Sequence, residues 1–248
     1  MPRFFVSADN IKGNSVLIDE EQTRHIEKVL RLKSGDIVKV FDGNGNEYQV
    51  RLQEKKQKIL QAEILAQETT AEDLAINLTL VQGIARSEKM DFIIQKAVEL
   101  GVRSIIPLQS EHSVARFDKE KEGKKVKRWQ KIAQEACKQC GRNHIPEVKP
   151  ILDFPALMAQ IGDKPALLCY EQEREAYFRT LLREQRENFC TRGLFLIIGP
   201  EGGFSPAEVE TARRQGCFIA GLGPRTLRTE TASLLACGII MYEYGELG

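Results

Sequence analysis

Two stretches of the chain hold residue types that chemistry needs, at spacings a simple turn would not require. The first is Gly199-Pro200-Glu201-Gly202-Gly203-Phe204, with three glycines in five residues. Glycine admits positive φ and lets backbone approach a ligand closely, and a turn alone would use one or two. This loop runs into Ser205-Pro206-Ala207-Glu208, an S-x-x-E capping box with proline at the first helical position. It is neither G-x-G-x-x-G nor a phosphate loop ending in Gly-Lys-Ser/Thr, which disfavours a dinucleotide or triphosphate site. The second stretch, residues 221–232, places two arginines, three threonines and Glu230 between a strand and a helix. Guanidinium groups suit phosphate or the electron-rich edge of a base. The plainer alternative makes Thr229 a helix cap and Arg225 and Arg228 surface charges. Both stretches, and a third at the end of the apolar segment 166–170, follow strands, where parallel α/β sheets gather ligands.

Other candidates carry less. Six cysteines stand at 137, 140, 169, 190, 217 and 237. The first residues, Met1-Pro2-Arg3-Phe4-Phe5, lack the plan of a secretory signal, so the cysteines read as reduced thiols of a cytoplasmic protein. Cys137-x-x-Cys140 with His144 offers three zinc ligands and no second pair nearby, on a helical pattern, so no metal is expected. His25, His112 and His144 read as structural residues, and none falls in the three loops. The net charge of +1 does not announce nucleic acid. Residues 116–131, however, carry eight basic side chains against three acidic ones, as a solvated helix face or a phosphate surface would. No apolar run reaches the 18 or so residues of a membrane span, and 42% apolar with 29% charged residues excludes disorder as the main state.

The elements that must position these loops follow from periodicity. A length of 248 residues allows one to two domains. Residues 1–70 read as short strands at 3–6, 16–18, 37–41, 48–52 and 59–65, with a helix at 20–30. Asp42-Gly43-Asn44-Gly45 forms a hairpin turn. Such spacing suggests a small β-barrel. The polar residues 68–73 mark a boundary. Beyond it, strands are expected at 76–81, 104–108, 166–170, 194–198 and 217–220. Helices are expected at 88–100, 124–140, 174–188, from the capping box to Gly216, and at 230–244. In the first of these, Met90, Ile93, Ile94, Ala97 and Val98 share one face and Gly101 stops the helix. The alternation implies α/β architecture with a parallel sheet covered on both faces.

Together, Ile198-Gly199-Pro200-Glu201-Gly202-Gly203-Phe204-Ser205 and Leu222-Gly223-Pro224-Arg225-Thr226-Leu227-Arg228-Thr229-Glu230-Thr231-Ala232 resemble the SPOUT class of RNA methyltransferases. Gln95-Lys96-Ala97-Val98-Glu99-Leu100-Gly101-Val102 and Leu30-Arg31-Leu32-Lys33-Ser34-Gly35-Asp36 narrow the resemblance to the RsmE family, which methylates N3 of a specific uridine in small-subunit ribosomal RNA. The resemblance covers essentially the whole chain. It implies an N-terminal PUA-like β-barrel that binds RNA, residues 1–70, and a C-terminal SPOUT domain, residues 74–248, whose parallel sheet is tied in a deep trefoil knot, an exception to the rule that chains avoid knots. It also implies S-adenosylmethionine, bent and gripped by the knot loops. The implied partners are a second copy of the chain, with each site near the interface, and 16S ribosomal RNA, within the assembled small subunit; no membrane is involved. The family usually has small or polar residues where this chain has Cys137 and Cys140, which further weakens a zinc reading.

On that resemblance the cofactor lies against Leu168, Cys169 and Tyr170, then Ile198, Gly199, Pro200, Glu201, Gly202 and Gly203, then Leu222, Gly223, Leu227, Thr229 and Ala232. Gly202 supplies the close backbone approach. Leu222 and Leu227 are walls for adenine or, equally, ordinary core leucines. Uracil N3 must lose its proton before or during attack, so the protein's tasks are alignment and charge placement. Arg225 or Arg228 is the candidate for stabilising negative charge on a uracil carbonyl. Glu230 or Glu201 is the candidate for receiving a proton or orienting a water, and Glu201 is as well suited to holding its loop. Arg3, Arg24, Arg31 and Lys33 in the barrel, and Lys124, Lys125 and Arg128 on the basic helix, are the phosphate candidates. A uridine in folded RNA would have to be exposed or flipped. Two competing readings are a non-catalytic RNA-binding protein, which would need neither loop, and a SPOUT enzyme acting on transfer RNA or on a ribose hydroxyl. Cofactor binding separates the first of these from a methyltransferase.

Overall fold

A computed structural model describes residues 1–56, 58–70, 74–113 and 119–247. The chain divides into two units, Met1–Asp73 with Cys137–Ile145, and Leu74–Ala136 with Pro146–Gly248. Residues 71–73 of the expected boundary, and Arg116 of the basic run, lie outside the described residues.

The first unit is a six-stranded sheet. Its strands are β1 (Arg3–Phe5), β2 (Ile11–Lys12), β3 (Ser15–Ile18), β4 (Ile37–Phe41), β5 (Asn46–Lys56) and β6 (Ile59–Thr69), in the order β1-β4-β5-β6-β3-β2. Only β1 and β4 pair parallel. The period of two turns Val16, Ile18, Val38, Val40, Val50, Leu52, Leu60 and Ala62 into one core with Phe4 and Ile26. Helix α1 (Glu20–Arg24) starts at Asp19, whose carboxylate accepts from Gln22 N at 2.8 Å, and continues as a π-helical segment, His25–Val29. Strand β6 runs past the expected end at 65, because pairing with Asn46–Gln49 of β5 carries Ala66 and the polar residues 67–69 into the ladder.

Residues 137–145, read from the sequence as part of the second domain, cluster with the first unit. Gly45 N donates to Asn143 O (3.1 Å) and Ile145 N to Gly43 O (3.0 Å), so the hairpin turn is paired rather than free. Gly45 has φ +100, and a Cβ there would lie 2.4 Å from His144 Nε2. The Cys137 thiol donates to His144 O at 3.4 Å, and burial pushes it up to about 12.

The second unit is an all-parallel sheet. In chain order its elements are β7 (Leu78–Gly83), α2 (Ser87–Glu99), β8 (Ser104–Gln109), α3 (Lys119–Cys140, whose last residues belong to the first unit), β9 (Glu147–Val148), β10 (Leu152–Asp153) and α4 (Phe154–Ile161). Then come β11 (Ala166–Cys169), α5 (Phe178–Glu184), α6 (Arg186–Arg192), β12 (Leu194–Ile198), α7 (Pro206–Arg214), β13 (Phe218–Ala220) and α8 (Thr229–Glu243). The order is β10-β8-β7-β12-β11-β13, with β9 also on β8. Val81, Ile106, Leu168, Ile197 and Ile219 pack against α4 and α7. The α2 stripe Met90, Ile93, Ile94, Ala97 and Val98 is buried as its spacing requires, and Gly101 ends that helix at φ +95.

The single helix expected at 174–188 is two short ones. Glu173 Oε1 accepts from Glu175 N (2.9 Å) and Ala176 N (3.3 Å), which holds that stretch as a turn and delays the helix to Phe178. A break at Gln185 separates α5 from α6. Strands β9 and β10 and helix α4 were not legible as periodic segments, although Asp153, which accepts from Ala156 N at 2.8 Å ahead of Pro155, is a cap readable in retrospect. Strand order reverses direction around β7 and β12, which puts a crevice at their carboxyl ends.

Candidate active site

At those carboxyl ends three loops enclose a cavity of about 420 Å3, within the roughly 300–1,000 Å3 of small-molecule sites. Strand β11 contributes Cys169, with Tyr170 and Glu171 after it. Strand β12 contributes Ile198 and the loop 199–204. The segment after β13 contributes Leu222, Gly223, Arg225, Thr226, Leu227 and Arg228, and α8 adds Thr229 and Ala232. The structure therefore brings together on one wall every cofactor residue expected from the sequence except Leu168. That side chain points into the core, because neighbours along a strand face opposite ways. Arg225 and Arg228 line the cavity and are exposed, and Glu201 lines it. Glu230 does not line it but touches Lys89, which does.

Two residues the sequence reading passed over hold the loops in place. Gln82, the penultimate residue of strand β7, is fully buried. Its Nε2 donates to Gly83 O at 2.8 Å and to Thr229 Oγ1 at 3.0 Å. Thr229 Oγ1 donates in turn to Gly199 O at 2.6 Å, and the Ser233 hydroxyl meets Gln82 Oε1 and the Thr229 carbonyl oxygen. Thr229 thus ties two loops together and is not the helix cap; Arg228 occupies the cap position and makes no side-chain cap bond. Gly83 is the second residue: a Cβ there would lie 2.3 Å from Pro200 N and 2.6 Å from Gly199 C, so the ends of β7 and β12 meet only at glycine.

The close approach expected at Gly202 is to protein, not into the cavity. A Cβ there would meet His112 Cβ at 2.9 Å and His112 O at 3.0 Å, and His112 Nδ1 lies 3.1 Å from Gly202 O. Glu208 reinforces that seat. Its Oε2 accepts from Ser205 N (3.0 Å), completing the capping box, while its Oε1 accepts from Glu111 N (2.9 Å). Gly203 has φ +69, a conformation that favours glycine.

The charges are organised around Lys89, in the first turn of α2. Its Nζ lies 3.1 Å from Glu230 Oε2 and 3.7 Å from Glu201 Oε1. The backbone N–H of Arg86 also donates to Glu201 Oε1, at 3.2 Å. Burial pushes the Glu230 carboxyl up, but its own backbone N–H, Lys89 and Arg228 outweigh this and hold it below the usual carboxylate value. Glu230 is therefore a weak proton acceptor. Burial also raises the Cys169 thiol well above its ordinary value, so the cavity wall carries no thiolate nucleophile there. Apolar Ile198, Leu222, Leu227 and Ala232 beside a glycine-rich main chain suit a flat heteroaromatic ring whose polar edge takes backbone hydrogen bonds. Among the described residues no group of three or more His, Cys, Asp or Glu is placed to hold a metal, and no helix is long and apolar enough to cross a membrane.

The phosphate candidates separate into two kinds. Arg3, expected from the sequence to contact RNA phosphate, is engaged as a structural clamp. Its guanidinium bonds Glu47 (2.8 Å), Cys137 O (2.7 Å), Arg142 O (2.8 Å) and Asn143 Oδ1, and lies 3.8 Å over the Phe41 ring. Arg128 is likewise engaged, with Asp91 and with Ser87 Oγ at 2.9 Å. Arg24 pairs with Glu20 at 2.7 Å on an exposed face. Arg31 and Lys33 are exposed, and Arg31 is the one non-glycine residue with positive φ (57°) among the described residues. On the basic helix α3, Lys124 is exposed and Lys125 half-buried.

A family model described as an RNA methyltransferase domain matches residues 72–241, and one described as an RNA methyltransferase PUA domain matches residues 18–65. The chain is 33% identical over 231 residues to ribosomal RNA small subunit methyltransferase E of Bacillus subtilis, covering 91% of this chain and 89% of that one. It is 32% identical to the protein of the same name from Buchnera aphidicola subsp. Schizaphis graminum, covering 100% and 98%. A solved structure of a ribosomal RNA small subunit methyltransferase E from Neisseria gonorrhoeae, bound to S-adenosyl methionine, superposes with a TM-score of 0.85 at 33% identity over 98% of both chains. An N-terminal PUA-type domain followed by a parallel α/β RNA methyltransferase domain, with these loops at its strand ends, places the chain in the RNA methyltransferase family, and within it in the family of ribosomal RNA small subunit methyltransferase E.

Proposed function

We propose that this chain methylates small-subunit ribosomal RNA using S-adenosylmethionine, and that its target atom is N3 of one uridine. The observation that carries this reading is the meeting of the glycine loop, the Arg/Thr loop and the end of β11 around one cavity in a member of this family. A non-catalytic RNA-binding protein would need no such cavity. When bound, S-adenosylmethionine supplies an activated methyl group on a sulfonium sulfur.

The chain's own residues do the rest. The main chain at Gly199, Glu201, Gly202, Leu222, Gly223 and Leu227 frames the cofactor, with Ile198, Leu222, Leu227 and Ala232 as apolar walls. Thr229 and Gln82 fix the spacing between the two loops. Arg225 and Arg228, exposed on the wall, donate to the uracil carbonyl oxygens that gain negative charge as N3 loses its proton. Glu201 receives that proton directly or through a water; Glu230, held below the usual carboxylate range, places charge instead. Arg31, Lys33, Lys124 and Lys125 contact RNA phosphates.

The same reading includes a knotted path for the C-terminal segment, implied by the family resemblance, and a homodimer, supported by exposed Phe92, Leu235 and Tyr242 on α2 and α8. It also includes the assembled small subunit as substrate and a cytoplasmic location. The test is nucleoside mass spectrometry after incubating the protein with labelled S-adenosylmethionine and unmodified small subunits. The expected product is labelled 3-methyluridine. Cofactor binding without label would point to another RNA substrate, and neither binding nor label would refute the reading.

A further inference from the structure

Lys89 was not singled out by any motif, yet it touches both carboxylates of the site. It reaches Glu201 in the glycine loop and Glu230 in the first turn of α8 from the first turn of a third element, α2. The three side chains are 31%, 21% and 19% exposed, so their attraction is only partly screened by solvent. A lysine that served α2 alone would pair three or four residues away, as Lys96 does with Glu99. Lys89 also lines the cavity. We infer that Lys89 is a positioning residue of the methyl-transfer site, whose ammonium clamps Glu201 to Glu230 and so fixes the glycine loop against the start of α8. The inference rests on the methyltransferase reading above.

Removing a charge from such a triad has a defined consequence. Two carboxylates sharing one ammonium lose it together and repel, and one of them then takes up a proton at higher pH. The other groups facing them do not replace it. Arg86 offers Glu201 its backbone N–H, Arg228 acts on Glu230 through space, and Glu171 and Arg225 stand further along the cavity wall. The clamp therefore matters most toward acid pH, where the carboxylate pair begins to protonate.

The experiment compares wild type, Lys89→Met and Lys89→Arg by two readouts. Methionine is a good helix former of similar length, so α2 is retained. In the cofactor-free protein, NMR titration of the Glu230 carboxyl, assigned with Glu230→Gln, should give a midpoint about one pH unit higher in the Met variant. The acid limb of kcat/KM for methyl transfer should move the same way, so that the Met variant loses about twofold at its new midpoint, approaches tenfold below the wild-type midpoint, and loses little at alkaline pH. Arginine, which can bridge two carboxylates, should restore both readouts. An unmoved Glu230 midpoint overturns the clamp whatever the methylation result. A uniform loss with an unmoved pH profile shows a purely structural lysine and overturns the role in the reaction. A raised midpoint in a protein whose wild type forms no methyluridine overturns the assigned reaction, and Lys89's part in it, while the clamp stands.

Discussion

The cavity of the second unit and the charged surface of the first contain the same kinds of residue, but differ in what fixes them. Around the cavity, glycines 83, 202 and 203 sit where backbone geometry or contact leaves little alternative, and Thr229 is held by two hydrogen bonds on separate elements. In the first unit, Arg3 and Arg24 are both arginines near acidic neighbours. One is 10% exposed with four polar partners, the other 63% exposed with one ion pair. Residue type told these apart nowhere; contact did. A site made by backbone demands leaves a pattern along the chain, whereas a charge takes its role from whatever folds beside it.

The sharpest way to break this comparison is Gly83→Ala. A methyl 2.3 Å from Pro200 N cannot be accommodated without separating the ends of β7 and β12. The expected outcome is loss of S-adenosylmethionine affinity by more than about 100-fold in calorimetry, with stability lowered by about 1–3 kcal/mol as for other overpacked sites. Unchanged affinity in a folded variant would show that the β7–β12 contact does not shape the cavity. Next in size is Arg228→Ala. Arg228 is exposed on the wall and makes no cap bond, so kcat should fall by roughly 100-fold, with cofactor affinity and melting temperature nearly unchanged. A fall in cofactor affinity equal to the fall in kcat would reassign it to the cofactor.

Much of the second unit was legible because its signals are local. The capping box at Ser205 and Glu208, the α2 stripe and the strand–loop junctions at 198–204 and 220–229 each follow from residues within one helical turn or one loop. What was not legible depends on distant partners. Gln82 lies just past the strand expected at 76–81, and its role comes from Thr229 and Ser233. Lys89 belongs to no motif, and its partner Glu230 is supplied by α8, far along the chain. Residues 137–145 looked continuous with a helix of the second unit, and Arg3, Gly43 and Gly45 assign them to the first. The helix expected at 174–188 failed for a similar reason: one carboxylate, Glu173, captured the N–H groups that would have begun it.

A smaller effect separates the two arginines of the barrel. Arg3→Met leaves Glu47 with Lys39 alone and takes the Arg3 donors from Arg142 O and Asn143 Oδ1, while Cys137 O keeps Gly141 N, so chemical denaturation should show a loss of about 3 kcal/mol. Arg24→Ala should change stability by less than about 0.5 kcal/mol. Neither should alter the salt dependence of RNA binding by itself if Arg3 is a clamp and Arg24 a surface pair. A reduced salt slope for a folded Arg3→Met protein would return Arg3 to the RNA contacts.

Arg31 gives the finest test, because its backbone and its charge make opposite demands. Its φ of 57° is disfavoured for any residue with a Cβ by about 1–2 kcal/mol, and glycine would adopt it without that strain. If the guanidinium served stability, Arg31→Gly would destabilise the unit. The side chain is exposed, so the expected result is instead a gain of up to about 1 kcal/mol in denaturation. A strained residue at an exposed position is a mark of function when its removal costs function and not stability. The matching expectation is a slope of log K against log salt that is shallower by about 0.9, the loss of one phosphate contact. Greater stability with an unchanged slope would leave the left-handed turn at Arg31 as a feature of chain geometry alone, and would confine the phosphate contacts of the first unit to Lys33.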